Sequence, residues 1–353
     1  GGGPDPELLV LWSNAGIASI TRHDPSSGAR RGELRLPAEG VVTELTFGDG
    51  GDEAWFTYSD RVTPETVYRY RAGSAEVGPW RGAAAVDVPD VVVTTEVFHS
   101  ADGTPVRLLL VRPGDAPPGP LPTVLQGYGA FGISQVPDYY AAALAWARRG
   151  GLFAVACGRG GGEHGEEWHW AGAREHKQRG ITDFVSAAEH LVASGHAAPD
   201  ALGAFGQSAG GLLVAAAMVR RPDLFAAVAC AAAPLDMARY ELTGLGPQWV
   251  EEFGSRNNPD ELGWLLGYSP YHRLRNSVDY PAVLFATFEQ DTRVDSAHSR
   301  KMCAAVQGAT ASGAPVLLRR DLRGGHGERD RSGRLAYFAD VLTFFDDRLN
   351  HRP

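Results

Sequence analysis

Gly206-Gln207-Ser208-Ala209-Gly210-Gly211 stands between two apolar runs of different character. Upstream, Asp200-Ala201-Leu202-Gly203-Ala204-Phe205 is short and largely apolar, and predicts a buried strand over 200–205. Downstream, Leu212 to Val219 is made of good helix formers and predicts a helix over 209–220. Strand, G-x-S-x-G and helix in that order form a nucleophile elbow, which holds a serine on a tight turn at the carboxyl end of a sheet. The small glycines keep neighbouring side chains from colliding there. The helix that follows aims its positive N-terminal end at the serine.

A serine hydroxyl is a weak nucleophile until a base takes its proton, and the base needs an acid to orient it. In α/β-hydrolases these partners follow in the order Ser, Asp or Glu, His, each in a loop after a strand. Pro281 to Thr287 is a continuous apolar run, and Phe288-Glu289-Gln290-Asp291-Thr292-Arg293-Val294 comes after it. Pro315 to Arg319 predicts the next strand, and Arg323-Gly324-Gly325-His326-Gly327 follows. His326 between glycines has room to swing toward Ser208. Asp291 is the expected acid, with Glu289 as runner-up and Asp295 read as the cap of a helix beginning at Ser296.

From about Val92 to the C-terminus the chain resembles the peptidase domain of the prolyl oligopeptidase family. The matching stretches are Gly127-Tyr128-Gly129-Ala130-Phe131, Arg159 to Trp168, the elbow with Arg221-Pro222-Asp223-Leu224-Phe225 behind it, Tyr268-Ser269-Pro270-Tyr271, Asp291-Thr292-Arg293-Val294 and Gly325-His326-Gly327. Two departures stand out: Ala209 where the family usually has Asn, and Asp-Thr-Arg where it usually has Asp-Asp-Arg. Neither touches the three candidate catalytic residues. Ala209 keeps its backbone N–H but removes a polar side chain from the pocket.

The remaining composition excludes several classes. The net charge is −9 without a basic cluster, which argues against a nucleic-acid partner. The 31 arginines against 2 lysines reflect genome base composition, as expected of a GC-rich bacterium. The longest apolar runs, near 209–219 and 224–235, fall short of the ~20 residues of a membrane helix. Cys157, Cys230 and Cys303 lack metal spacing and are expected as buried thiols in a reducing compartment. A cytoplasmic location is the expectation. Periplasmic or secreted stays open, because the chain begins Gly-Gly-Gly-Pro without methionine. His164, His169 and His176 fit no common metal spacing, so neither metal nor cofactor is expected.

Residues 1–89 differ in character from the rest of the chain. Short β-rich runs over 8–12, 17–20, 41–47, 53–58 and 66–70 alternate with Gly, Asp, Asn and Ser. At ~40–45 residues per four-stranded blade, this length holds about two propeller blades, whereas a closed propeller needs at least ~4. The expectation is the end of a longer β-propeller, with its remainder in the same or a companion chain. Residues 73–90 read as a linker. Over 90–353 a hairpin (Val91 to Val97, Val106 to Val111) precedes alternating strands and helices: strand 122–127, helix 138–149, strand 151–157, helix 181–194, strand 200–205, helix 209–220 and strand 225–231. Helices recur near 295–307 and 333–349. This predicts a doubly wound, mostly parallel α/β sheet of the α/β-hydrolase type.

The elbow makes the Ala209 N–H one oxyanion donor. The resemblance implies the Tyr128 hydroxyl as the other, Phe131, Trp249, Phe253 and Val294 around the P1 residue, and Arg293 on a substrate carbonyl. A tryptophan face suits the flat proline ring. Glu251 and Glu252 are expected on a solvated helix face turned away from Trp249. The glycine-rich stretch Arg159 to Trp168 lacks the ending of a phosphate loop and reads as a structural loop at the site's rim. The activity so implied is a serine endopeptidase cutting short peptides after proline. A carboxylesterase, an oligopeptidase B-like peptidase with a basic P1, or a peptide macrocyclase would use the same fold. A non-catalytic binding module is disfavoured by the intact Ser, Asp and His.

Overall fold

The structure is a computed structural model describing residues 6–48, 51–74, 76–82, 86–326 and 330–350. Two compact units emerge: Gly1–Pro89 with Val136–Leu144, and Asp90–Gln135 with Ala145–Pro353. Sequence assigned all of 90–353 to the second unit. The segment Val136–Leu144 instead groups with the first, where the Tyr139 N–H donates to Ser59 Oγ at 3.0 Å.

The first unit holds two antiparallel sheets. Strands β1 (Leu8–Asn14), β2 (Ile17–His23) and β3 (Arg30–Glu33) form one, in chain order. Strands β4 (Val41–Phe47), β5 (Glu53–Ser59), β6 (Thr66–Arg71) and β7 (Val77–Gly82) form the other, as a four-stranded meander. Ala54, Phe56 and Tyr58 alternate inward along β5 and pack with Leu9, Ile20 and Tyr70. A four-stranded blade beside a three-stranded sheet is a partial propeller. Strand β7 corrects the linker reading of 73–90. Among the described residues it pairs only with β6, so Pro79 sits on an edge, where its missing N–H costs no ladder bond.

The second unit is one eight-stranded sheet with helices packed on it. Its strands are β8 (Val91–His99), β9 (Pro105–Pro113), β10 (Thr123–Gly127), β11 (Leu152–Cys157), β12 (Leu202–Gln207), β13 (Ala227–Ala231), β14 (Ala282–Phe288) and β15 (Val316–Asp321). The spatial order is β15-β14-β13-β12-β10-β11-β9-β8. From β15 to β11 all neighbours are parallel, while β9 and β8 add an antiparallel hairpin. This is the α/β-hydrolase fold. The helices are α1 (Ala141–Arg148), α2 (Glu166–Trp170), α3 (Lys177–Ala193), α4 (Ala209–Arg220), α5 (Val250–Phe253), α6 (Pro259–Tyr268), α7 (Pro270–Arg273), α8 (Ala297–Ala309) and α9 (Arg331–Leu349).

Strands β13 and β14 are buried at every position, which is why they read as unbroken apolar runs rather than alternating ones. Helix α4 is buried from Ala209 to Val219 and contributes Val214 and Met218 to the main core beside Leu125, Leu202 and Phe285. Its small residues let it lie close on the sheet. Cys157, Cys230 and Cys303 are buried. Among the described residues no helix is long and apolar enough to cross a membrane.

Candidate active site

Parallel strands end together, so the loops after β10, β12, β14 and β15 share the carboxyl edge of the sheet, where open α/β folds bind ligands. Ser208 follows β12 directly, with φ 59° and ψ −126°. Side chains rarely adopt such a backbone, and it persists only where the surroundings over-determine it. Here the Ser208 N–H donates to the Ala231 carbonyl at 2.9 Å, and the Ser208 carbonyl accepts the first bond of α4 from Leu212 at 3.1 Å. The turn also needs bare backbone around it. A Cβ on Gly206 would lie 2.1 Å from the Gly210 carbonyl oxygen, and one on Gly210 would lie 2.5 Å from that of Gly127. Gly206→Ala is therefore expected to push the elbow apart, costing about 1–3 kcal/mol of stability as overpacking does. A lowered urea midpoint together with lost activity would bear this out, and an unchanged midpoint would refute it.

Asp291 lies three residues past β14, and its side chain is 1 % exposed. Its Oδ1 accepts from the backbone N–H of Arg293 (2.9 Å) and Val294 (3.0 Å), and its Oδ2 accepts from His326 Nδ1 at 2.7 Å. Burial alone would raise this carboxyl's pKa. The His326 bond and the two N–H donors outweigh it, so the pKa is lowered and the group stays ionised. His326 lies in the loop after β15, its side chain 7 % exposed. The competing acids are engaged elsewhere. Glu289 pairs with Arg300 and with Arg320, and Asp295 accepts from the Ala297 N–H at 2.8 Å, just ahead of α8, whose N-cap is Ser296.

Tyr128 stands one residue past β10. Burial pushes the phenol's pKa up. The Ser208 side chain and the Arg293 charge pull it down, and the Glu252 carboxylate adds to the rise. The Ala209 N–H, first of α4, belongs to the helix-terminal donors that have no intrahelical acceptor.

The aromatic residues gather beside this point. Phe131, with φ 58°, sets its ring edge-on to Trp249 (centroids 6.1 Å apart) and to Phe253 (5.4 Å). Phe131 and Trp249 are half-buried and open to a ligand, whereas Phe253 is sealed from solvent and backs the wall. Val294 is buried at 4 %. Arg293 is exposed, and among the described residues no carboxylate lies within ion-pair distance of it. Its carbonyl accepts from Leu245 at 2.9 Å, tying the acid loop to the turn that carries Trp249.

One expectation is corrected. Glu252 is not on a solvated face: its side chain is 4 % exposed, Oε1 accepts from Lys177 Nζ at 2.8 Å, and Oε2 accepts from His169 Nε2 at 2.7 Å. Glu251 is exposed. Helix α5 has only four residues, so its turn rather than a helical face decides where each side chain goes. The support beneath the glycine-rich loop had no sign in the sequence either. Arg159 is buried, bonded to Asp183 through Nε and Nη2 (2.9 and 2.6 Å) and to Asp102 (2.6 Å). The Gly160 carbonyl then accepts the Gly132 N–H at 3.0 Å, so this loop buttresses the segment carrying Tyr128 and Phe131.

Residues 137–352 match the prolyl oligopeptidase family. The chain belongs to that family. It is 33% identical over 345 residues to the prolyl endopeptidase of Elizabethkingia miricola, covering 96% of this chain and 48% of that protein. The prolyl endopeptidase of Dictyostelium discoideum is 31% identical over 328 residues, covering 90% of this chain and 43% of its own length. A structure from a mechanistic study of two prolyl endopeptidases superposes with a TM-score of 0.92 at 34% identity, over 99% of this chain and 52% of that one. Prolyl oligopeptidase B from Galerina marginata, bound to a 35mer hydrolysis and macrocyclization substrate, gives 0.91 at 27% identity over 98% and 50%. The chain therefore spans about half the length of the curated relatives it matches.

Proposed function

We propose that this chain carries the catalytic part of a serine peptidase that cuts short peptides on the carboxyl side of proline through an acyl-enzyme on Ser208. The observation that carries the proposal is the 2.7 Å bond from His326 to an ionised Asp291, at the same edge of the sheet as the Ser208 elbow. Asp291 fixes the His326 proton on Nδ1, which leaves Nε2 free to take the Ser208 proton. The serine oxygen adds to the scissile carbonyl. The oxyanion so formed is met by the Tyr128 hydroxyl and the Ala209 N–H. His326 returns the proton to the leaving amine, and water then repeats the sequence on the ester.

Trp249 and Phe131 offer two aromatic faces to a P1 side chain, and a rigid proline ring fills such a slot at low entropic cost. Arg293, in the same loop as Asp291 and without an ion-pair partner among the described residues, is positioned in this reading to donate to a substrate carbonyl. A basic P1, as in oligopeptidase B, would want an available acid. Glu252 is already neutralised by Lys177, which favours proline. Among the described residues the strands of the first unit make about two blades, and in this reading the remaining blades of a closed propeller lie in the same or a companion polypeptide.

Trp249→Ala is expected to lower kcat/KM on a Gly-Pro-linked reporter by about 10–100-fold, the value of a buried aromatic contact, while hydrolysis of a small p-nitrophenyl ester changes little. Equal losses on both substrates would make Trp249 structural. A peptide-library digest read by mass spectrometry tests the activity itself. Cleavage after proline supports the proposal, ester hydrolysis without peptide cleavage refutes it, and circular products would show that an amine replaces water at the acyl-enzyme, as the likeness to the Galerina enzyme invites.

A further inference from the structure

Lys177 has no part in the chemistry above, yet it is one of two lysines in the chain and its side chain is 7 % exposed. Burying an ammonium is costly unless it is both paired and hydrogen-bonded. Lys177 is both. From the first residue of α3, its Nζ donates to the Gly129 carbonyl at 2.9 Å and to Glu252 Oε1 at 2.8 Å, and it lies 5.1 Å from the centre of the Phe253 ring. The second Glu252 oxygen is held by His169 Nε2. Burial draws the ammonium's pKa down, and the Glu252 carboxylate opposes that.

The partners of this one ammonium belong to the two walls of the site. Gly129, with φ 58°, sits between Tyr128 and Phe131. Glu252 sits on α5, three residues after Trp249 and directly before Phe253. The one ammonium joins the Gly129 carbonyl, next to Tyr128, to the Glu252 carboxylate, whose negative charge opposes further negative charge nearby. An oxyanion developing at Tyr128 would meet the same opposition unless a cation cancels it.

We propose that Lys177 is a positioning residue for acyl transfer: its ammonium ties the Tyr128–Phe131 loop to the Trp249–Phe253 turn and cancels the Glu252 charge beside the oxyanion. One ion pair thereby sets the donor and the P1 wall together. The proposal rests on Ser208 as nucleophile and Tyr128 as oxyanion donor, and its test separates the two layers.

The test compares the unsubstituted protein with K177M, E252Q, the K177M/E252Q pair and S208A. Each is assayed for kcat and KM on a proline-linked reporter and on a small activated ester, with thermal melting alongside. K177M removes the cation and leaves the buried carboxylate. It is expected to lower kcat on both substrates by about 10–100-fold, below the loss of a whole oxyanion donor. The paired variant removes both charges, a change that buried ion pairs tolerate far better than the loss of one partner. It is expected to recover kcat on the ester to within about 10-fold of the unsubstituted protein, while KM for the proline reporter stays raised by about 10-fold because the tie between loop and turn is gone. A purely stabilising lysine would move melting temperature and leave both kinetic constants alone. Kinetics of folded K177M within about 2-fold of the original would overturn the inference, as would a pair no better than K177M. If K177M does not fold, the pair decides alone: an unchanged KM for the proline reporter would overturn the positioning role. Turnover surviving in S208A would instead sink the nucleophile assignment, whatever Lys177 does.

Discussion

Ser208→Ala is expected to lower turnover of a proline-linked reporter by about a million-fold, the scale seen when a serine hydrolase loses its nucleophile, and to abolish labelling by a fluorophosphonate. The fold should survive. Alanine keeps the Cβ and so leaves the strained backbone at φ 59° as it is. The backbone bonds to Ala231 and from Leu212 are untouched. Residual turnover would come from the oxyanion donors and from binding alone. Mass spectrometry of the labelled protein is the check: the adduct should sit on Ser208 and vanish in the variant. A fluorophosphonate adduct persisting on another serine would refute the assignment.

How far this could be read from sequence depended on the range of each interaction. The elbow was legible because strand, turn and helix are contiguous, and because Gly206 and Gly210 answer backbone contacts made within the turn's immediate surroundings. The apolar run over β14 was legible because both faces of that strand are covered, so no alternation interrupts it. Loops after β14 and β15 were then the expected places for an acid and a base, since parallel neighbours finish at the same edge. Strands β3 and β7 were missed. Arg30-Arg31-Gly32-Glu33 has no apolar residue to signal burial, and β7 carries Pro79, a residue that argues against strand unless the strand is an edge.

The support of the site was hidden for a different reason. Lys177 and Glu252 are 75 residues apart, Arg159 and Asp183 are 24 apart, and Arg159 and Asp102 are 57 apart. Nothing local marks any of them as buried. Charged residues are mostly solvated, so sequence alone favours the surface for each. Glu252 went to the wrong environment on that rule, on a helix too short to have faces. Its burial needed a lysine from α3 and a histidine from α2, which only the tertiary fold brings together.

Asp291→Asn is expected to lower kcat/KM by about ten-thousand-fold with the fold intact. The backbone dictates the size of this effect. In the native site Oδ1 faces two N–H donors, from Arg293 and Val294, and Oδ2 faces His326 Nδ1. An asparagine has one oxygen for these two demands. Two fixed backbone donors outvote one rotatable ring, so the amide oxygen turns to Arg293 and Val294 and the NH2 group turns to His326. That NH2 needs a lone pair on Nδ1, which forces the ring proton to Nε2. In the proposed mechanism an Nε2–H cannot accept the Ser208 proton, so the base is lost although every heavy atom stays in place. The lowered pKa of Asp291 carries a second consequence. Its contribution to stability is fully present above the ordinary aspartate value and is lost as pH falls through the lowered folded value. The variant should lack that acid-side loss. Glu289→Gln is the matched control, since Glu289 pairs on the surface with Arg300 and Arg320, and it should stay within about 3-fold of the original. Steady-state kinetics of the two variants on one substrate decides the matter: a large loss in Glu289→Gln with little in Asp291→Asn would reverse the assignment of the acid.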